Sequence, residues 1–83
     1  MRIRVLFFAL LRDRAGVAET TIELREGASV ADAASALSEK FPAIADFLAR
    51  TAFAVNQSYV PKETRLGDGD ELALIPPVSG GST

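Results

Sequence analysis

The chain contains neither cysteine nor histidine. Without cysteine there is no disulfide framework, no thiol nucleophile and no zinc site of the usual kind, which fits a reducing compartment. An excess of one charge is also missing. Nine Lys and Arg stand against 11 Asp and Glu, a net charge of −2 over 83 residues, so binding to nucleic acid has no electrostatic support. Arg2, Arg4, Arg12, Arg14 and Arg25 are dispersed among acids and form no basic run. No apolar run approaches the length of a membrane span, and the opening Met1 to Phe8 is too short and too soon interrupted for a secretory signal. The expectation is a cytoplasmic protein with neither nucleic acid nor membrane as partner. What is present is ordinary for a globular domain: 48% apolar and 24% charged residues, enough to exclude wholesale disorder. At this length one core is only just sufficient, so a single domain is expected.

Strand and helix periods follow one another along the chain. Arg2 to Ala9 alternates and then turns wholly apolar, with Ile3, Val5 and Phe7 on one face and Arg2, Arg4, Leu6 and Phe8 on the other. The arginine-bearing face is the wet one. Leu6 and Phe8 on it are either covered by a loop or form a partner-binding patch. Leu10 to Ala15, closed by Gly16, predicts a short helical turn. Glu19 to Arg25 predicts a second strand, antiparallel to the first, with Thr20, Ile22 and Leu24 on one face.

Ser29 stands at an N-cap position with Asp32 three residues on, and Val30, Ala33, Ala34, Leu37 and Phe41 recur at helical spacing. Pro42 ends that helix and opens a shorter one that turns Ile44, Phe47 and Leu48 inward. Ala52 to Val55 predicts a strand, Asn56-Gln57-Ser58 a turn, and Tyr59-Val60 a short edge strand stopped by Pro61. Leu66 to Asp70 is a tight turn without the carboxylate spacing of a calcium loop. Glu71 to Ile75 predicts the last strand, with Leu72 and Leu74 inward and Glu71, Ala73 and Ile75 outward.

One long helix among five strands in this order predicts an α+β fold, a β-grasp or ubiquitin-like mixed sheet with the helix packed across one face. Residues 1–75 form the domain and 76–83 an extended tail. Pro76 and Pro77 end the last strand because neither offers an N–H and both fix φ, so the chain leaves stiff and extended. From Pro76 to Gly81 it spans roughly 20 Å when extended, enough to enter a site on another protein. Val78, Ser79, Gly80 and Gly81 lead to a tip without side chains. A glycine pair is also what a functionless fraying terminus carries.

Val5-Leu6-Phe7-Phe8-Ala9, Ala54-Val55-Asn56-Gln57, and Leu66-Gly67-Asp68-Gly69-Asp70-Glu71 running into Pro76-Pro77-Val78-Ser79-Gly80-Gly81 together resemble the small subunit of molybdopterin synthase, the MoaD family. The likeness spans essentially the whole chain. Gly-Gly alone is a weak signal, whereas strand, Asp-Gly-Asp turn, strand, Pro-Pro-Val and Gly-Gly in that order is a specific one.

The resemblance implies a ubiquitin-like sulfur carrier for molybdenum-cofactor synthesis. Its terminal glycine, matching Gly81, is adenylated by an E1-like (MoeB-like) enzyme using ATP and magnesium and then becomes a thiocarboxylate. The tail enters the large (MoaE-like) subunit, where sulfur passes to cyclic pyranopterin monophosphate. A heterotetramer of two small and two large subunits is implied as well. A carboxylate is a poor electrophile and needs this activation, so the carrier requires no intrinsic cofactor and no metal. Its chemistry sits on a main-chain carbonyl carbon, where glycine obstructs least. Leu6, Phe8, Ile75 and Tyr59 are the expected docking patch for both partners.

The sequence departs from the family in one place: Ser82 and Thr83 follow the second glycine. A tail trimmed by a protease, residues added by cloning, and a member that has lost the chemistry all remain open. Three other classes share parts of the pattern. A ubiquitin-like modifier would join Gly81 to lysines, a carrier of the thiamine or tRNA-thiolation pathways would have the same fold and glycine pair, and a non-covalent β-grasp module would need no processed tail. A self-sufficient enzyme is disfavoured, because Asp68 and Asp70 are the only clustered acids and read best as turn residues.

Overall fold

The computed structural model describes residues 1–77. Five strands, β1 (Arg2–Phe7), β2 (Glu19–Glu23), β3 (Ala52–Val55), β4 (Ser58–Val60) and β5 (Glu71–Ile75), form one sheet in the order β2-β1-β5-β3-β4. β1 and β5 are parallel neighbours, and every other pair is antiparallel. Helices α1 (Ala9–Ala15) and α2 (Val30–Lys40) and a 3₁₀ segment over Pro42–Arg50 complete the α+β, β-grasp arrangement.

Strand parity decides which side is covered. Ile3, Val5 and Phe7 from β1, Ile22 from β2, Phe53 from β3, and Leu72 and Leu74 from β5 share one core with Val30, Ala33 and Leu37 of α2. Leu11 of α1 and Ile44 and Leu48 of the 3₁₀ segment close that core at its side. Phe41 sets its ring edge-on to Phe7, centroids 5.2 Å apart, in the T-shaped geometry that ring quadrupoles favour. Burial of this one cluster supplies the apolar gain, at about 25 cal/mol per Å² removed from water.

Local chemistry sets the ends of the elements. Asp32 N–H donates to Ser29 Oγ and Ser29 N–H donates to Asp32 Oδ2 at 2.9 Å, a reciprocal capping box at the start of α2. Gly16 ends α1 in the left-handed region at φ 82°, its N–H returning to the Arg12 carbonyl. The hairpin between β3 and β4 turns on Asn56 and Gln57 alone, at φ 50° and 73°, the pattern of a two-residue turn matched to sheet twist. Ser58, expected in that turn, is instead the first residue of β4, because positive φ at two successive residues already reverses the chain.

Two further boundaries are corrected. β1 stops at Phe7 rather than Ala9 because the Phe8 carbonyl is taken up by the amides of Leu11 and Arg12, at 3.0 and 3.4 Å, which starts α1 one residue earlier than its pattern suggests. Ala9 pays for the sharp change with φ 47°, a conformation that L-residues other than glycine, asparagine and aspartate adopt rarely. β2 ends at Glu23 rather than Arg25, while Leu24 N–H still reaches the Met1 carbonyl at 2.8 Å.

Candidate functional site: an apolar groove on the open sheet face

The sheet face opposite α2 carries the other parity of each strand. Its β2 side is charged: Arg2 pairs with Glu23 at 3.0 Å, and Arg4 meets Glu19 at 3.2 Å and Glu71 at 3.4 Å. The hydrogen bond and charge of Glu19 hold the Arg4 guanidinium above its ordinary pKa against desolvation, and the charge of Glu71 adds a lesser rise. Apart from Glu71, which is partly covered, these groups are solvated, so the ladder sets the sign of the local field more than it stabilises the fold.

Toward β4 the same face becomes apolar. Register puts Leu6 opposite Ala73, Ala73 opposite Ala54, and Ala54 opposite Tyr59. Large side chains therefore stand on β1 and β4, and alanines lie on the two strands between them. The result is a groove of about 490 Å³ lined by Leu6, Phe8, Ala54, Gln57, Tyr59, Glu71, Ala73 and Ile75. Phe8 is 44% and Tyr59 70% exposed. A groove of this size falls within the range of ligand pockets, but it offers few polar groups to fix a small polar ligand, and its walls are large apolar side chains, of which Phe8 and Tyr59 are exposed.

A polar brace fixes the end of the groove. Asn56 Nδ2 donates to Asp70 Oδ1, Glu71 N–H donates to Asn56 Oδ1, both at 3.0 Å, and Asn56 N–H reaches the Glu71 carbonyl at 2.8 Å. Asp70 also accepts from Gly67 N–H at 2.7 Å, and Asp68 accepts from Arg2 N–H at 2.8 Å. Both aspartates work as turn residues, as their spacing suggests.

All four side chains expected to form a patch, Leu6, Phe8, Tyr59 and Ile75, line this one groove. Sequence reasoning missed Ala54 and Gln57 as members and gave Glu71 and Ala73 only a direction. β5 parity pointed Glu71 and Ala73 outward beside Ile75, whereas β3 is apolar on both faces and gave no such signal for Ala54. Pro76 and Pro77 follow β5 directly, so the chain leaves the sheet at the Ile75 end of the groove. Val78, Ser79, Gly80, Gly81, Ser82 and Thr83 lie outside the described residues.

Comparison with known proteins is decisive for the family. Residues 5–81 match the family described as the ThiS family. The molybdopterin synthase sulfur carrier subunit of Chlamydomonas reinhardtii is 45% identical, over 98% of this chain and all of that protein. The chain belongs to the ThiS family, as a sulfur carrier of the MoaD type.

Among solved structures, SAMP1 of Haloferax volcanii superposes on this ThiS-family chain with a TM-score of 0.90 at 29% identity, covering 98% of this chain and 100% of that one. A Helicobacter pylori structure described as a complex of subunits 1 and 2 of molybdopterin-converting factor matches with a TM-score of 0.72 at 28% identity, over 98% of this chain and all of that one. The ubiquitin-like fold read from the strand order is thus the fold of its relatives.

Proposed function

We propose that this chain serves molybdopterin synthase as its sulfur carrier subunit, with Gly81 as the atom-bearing residue and the groove as the surface that brings partners to it. An E1-like, MoeB-like enzyme uses ATP and magnesium to adenylate the Gly81 carboxylate with release of pyrophosphate, and a sulfide-level sulfur donor then displaces AMP to leave the thiocarboxylate. A MoaE-like large subunit then docks, receives the tail and passes the sulfur to cyclic pyranopterin monophosphate. Residues after Gly81 must be removed first, by a tail-trimming protease, because only a terminal carboxylate can be adenylated. This work belongs in the cytoplasm.

One observation carries the reading: β1 and β5 run parallel with Phe7 opposite Leu74, so Phe8, Ile75 and the start of the tail share one end of the sheet. A partner seated over Leu6 and Phe8 is therefore already positioned to take the tail. Holding a reactive end within reach of the partner's acid and base groups is the carrier's contribution to rate. The complex of converting-factor subunits from Helicobacter pylori supports a large-subunit partner.

The deciding experiment is intact mass of the protein isolated from its own cells. A species ending at Gly81 with one oxygen replaced by sulfur is expected. A mass that keeps Ser82 and Thr83 under all conditions overturns the proposal. The likeness to SAMP1, which a second Haloferax volcanii structure describes as small archaeal modifier protein 1, favours one alternative, attachment of Gly81 to lysines. Slower-migrating conjugates that survive reductant would identify that activity.

A further inference from the structure

We infer that the large subunit fills the groove with a bulky apolar side chain seated on Ala54 and Ala73, and sets a cation, guanidinium or ammonium, at the Glu71 end. The inference rests on the docking role proposed for this face and names the chemistry of its occupant.

The floor argues for the apolar half. Alanine is a poor strand residue, and Ala73 and Ala54 sit opposite each other on the two inner strands, β5 and β3, flanked by Leu6 and Tyr59. Neither belongs to the cluster of Leu72, Leu74 and Phe53, so core packing does not require them to be small; Ala54 keeps only 5% exposure, and Ala73 presents more of the floor. From β1 to β4 the groove crosses three strand spacings, roughly 14 Å, wide enough for a side chain standing on an incoming helix or strand. Small residues here leave a groove between Leu6 and Tyr59 into which a second molecule fits, and an anchor buried in such a pocket is where binding energy concentrates.

The charge argument comes from the ladder. Arg4 is shared between Glu19 and Glu71, leaving one negative charge in excess. Among the described residues Glu71 is the sole charged one lining the groove, and its side chain keeps 26% exposure. An approaching cation finds a carboxylate with unused acceptor capacity, whereas an anion meets uncompensated charge.

The test measures affinity of the full chain for its molybdopterin synthase large subunit, with thermal melting beside it. Ala73→Leu fills the floor from within and is expected to weaken binding at least 100-fold with an unchanged or higher Tm, while Ala73→Ser, which stays small and adds only a hydroxyl, is expected to weaken it by less than about 10-fold. Glu71→Gln is expected to lower affinity about 5- to 10-fold and to flatten the salt dependence of the association rate. Normal binding by Ala73→Leu while Phe8→Asp abolishes it overturns the seated side chain and leaves the docking face standing. Normal binding by Phe8→Asp as well removes the docking face and this inference with it. An unchanged affinity and salt slope for Glu71→Gln overturns the cation.

Discussion

Phe8→Asp separates folding from docking, and the structure sets the size of each effect. Phe8 is 44% exposed, so its own chain covers somewhat more than half of the roughly 200 Å² that a phenylalanine can bury. At about 25 cal/mol per Å² the covered part is worth about 2–3 kcal/mol, and less once a compact unfolded chain is the reference. Position 8 is also the N-cap of α1, with φ −121°, ψ 152° and no side-chain cap. Aspartate is among the best residues there, restoring about 1 kcal/mol. The net cost is about 1–2 kcal/mol, a Tm fall of about 4–15 °C in a domain of this size.

Docking loses far more. The exposed remainder, about 90 Å², contributes about 2 kcal/mol when a partner covers it, and burying an unpaired carboxylate in its place costs several more. Affinity for the large subunit should therefore fall beyond about 1,000-fold, measured by titration calorimetry next to a thermal melt. Phe8→Ala should fall only about 30-fold, having lost the contact without gaining the charge. Unaltered affinity, or a variant unfolded at room temperature, would refute the assignment of this side chain to the docking face.

Leu74 is fully buried between Phe7 and Phe53 on the flanking strands; Leu74→Ala should cost about 2–5 kcal/mol and lower Tm by at least 10 °C or so, and a harmless change in a melt would contradict the core. Ser29→Ala removes half of the capping box on α2 and should cost about 1 kcal/mol by denaturant titration, with no change in m-value. Asp32 is held below its ordinary pKa, first by the Ser29 backbone hydrogen bond and, against some desolvation, by Arg25, the Ser29 hydroxyl and Arg65. A lowered native pKa stabilises above the unfolded value near 4 and is lost as pH falls through the native one, so the Tm gap between parent and Asp32→Ala should be full at pH 7 and close below about pH 4; a gap constant down to pH 2 would show that the charge is irrelevant. Ala9→Gly should leave Tm unchanged or raise it by a few degrees, because glycine adopts φ 47° without the cost an L-residue bears there; a large fall would mean that the alanine methyl packs against something the backbone argument omits.

How far the sequence could be read depended on whether a pattern had one physical cause. β1 and β5 alternate cleanly on the half that bears charge, so Arg4 and Glu71 marked the wet face and carried Leu6 and Ile75 with them. β3, Ala52-Phe53-Ala54-Val55, is apolar at every position. Parity is silent in such a strand, and only its register with β5 and β4 reveals Ala54 as the groove floor. Tyr59 sits in a three-residue strand, too short for a period, and its neighbour across the sheet fixes its side. The 3₁₀ segment was legible as helical because Ile44, Phe47 and Leu48 suit either winding, so its tighter turn was not. Ala9 and Gln57 at positive φ were hidden for the opposite reason: neither residue type favours that region, and the surrounding fold imposes it.

The parallel pairing of β1 and β5 links these parts. In an antiparallel pair, Phe8 and the tail would leave from opposite ends of the sheet, and a partner gripping Phe8 would stand about a strand length, some 17 Å, from the start of the tail. Parallel pairing needs a long crossover, and β2, α2, the 3₁₀ segment, β3 and β4 all lie between the two strands in sequence. Much of the chain can therefore be understood as the connection that returns β5 alongside β1 in the same direction. The core that stabilises this connection and the groove on its far side are two faces of one sheet. A substitution such as Ala73→Leu can consequently block the outer face while leaving the inner one intact, and that independence allows docking to be tested without unfolding the carrier.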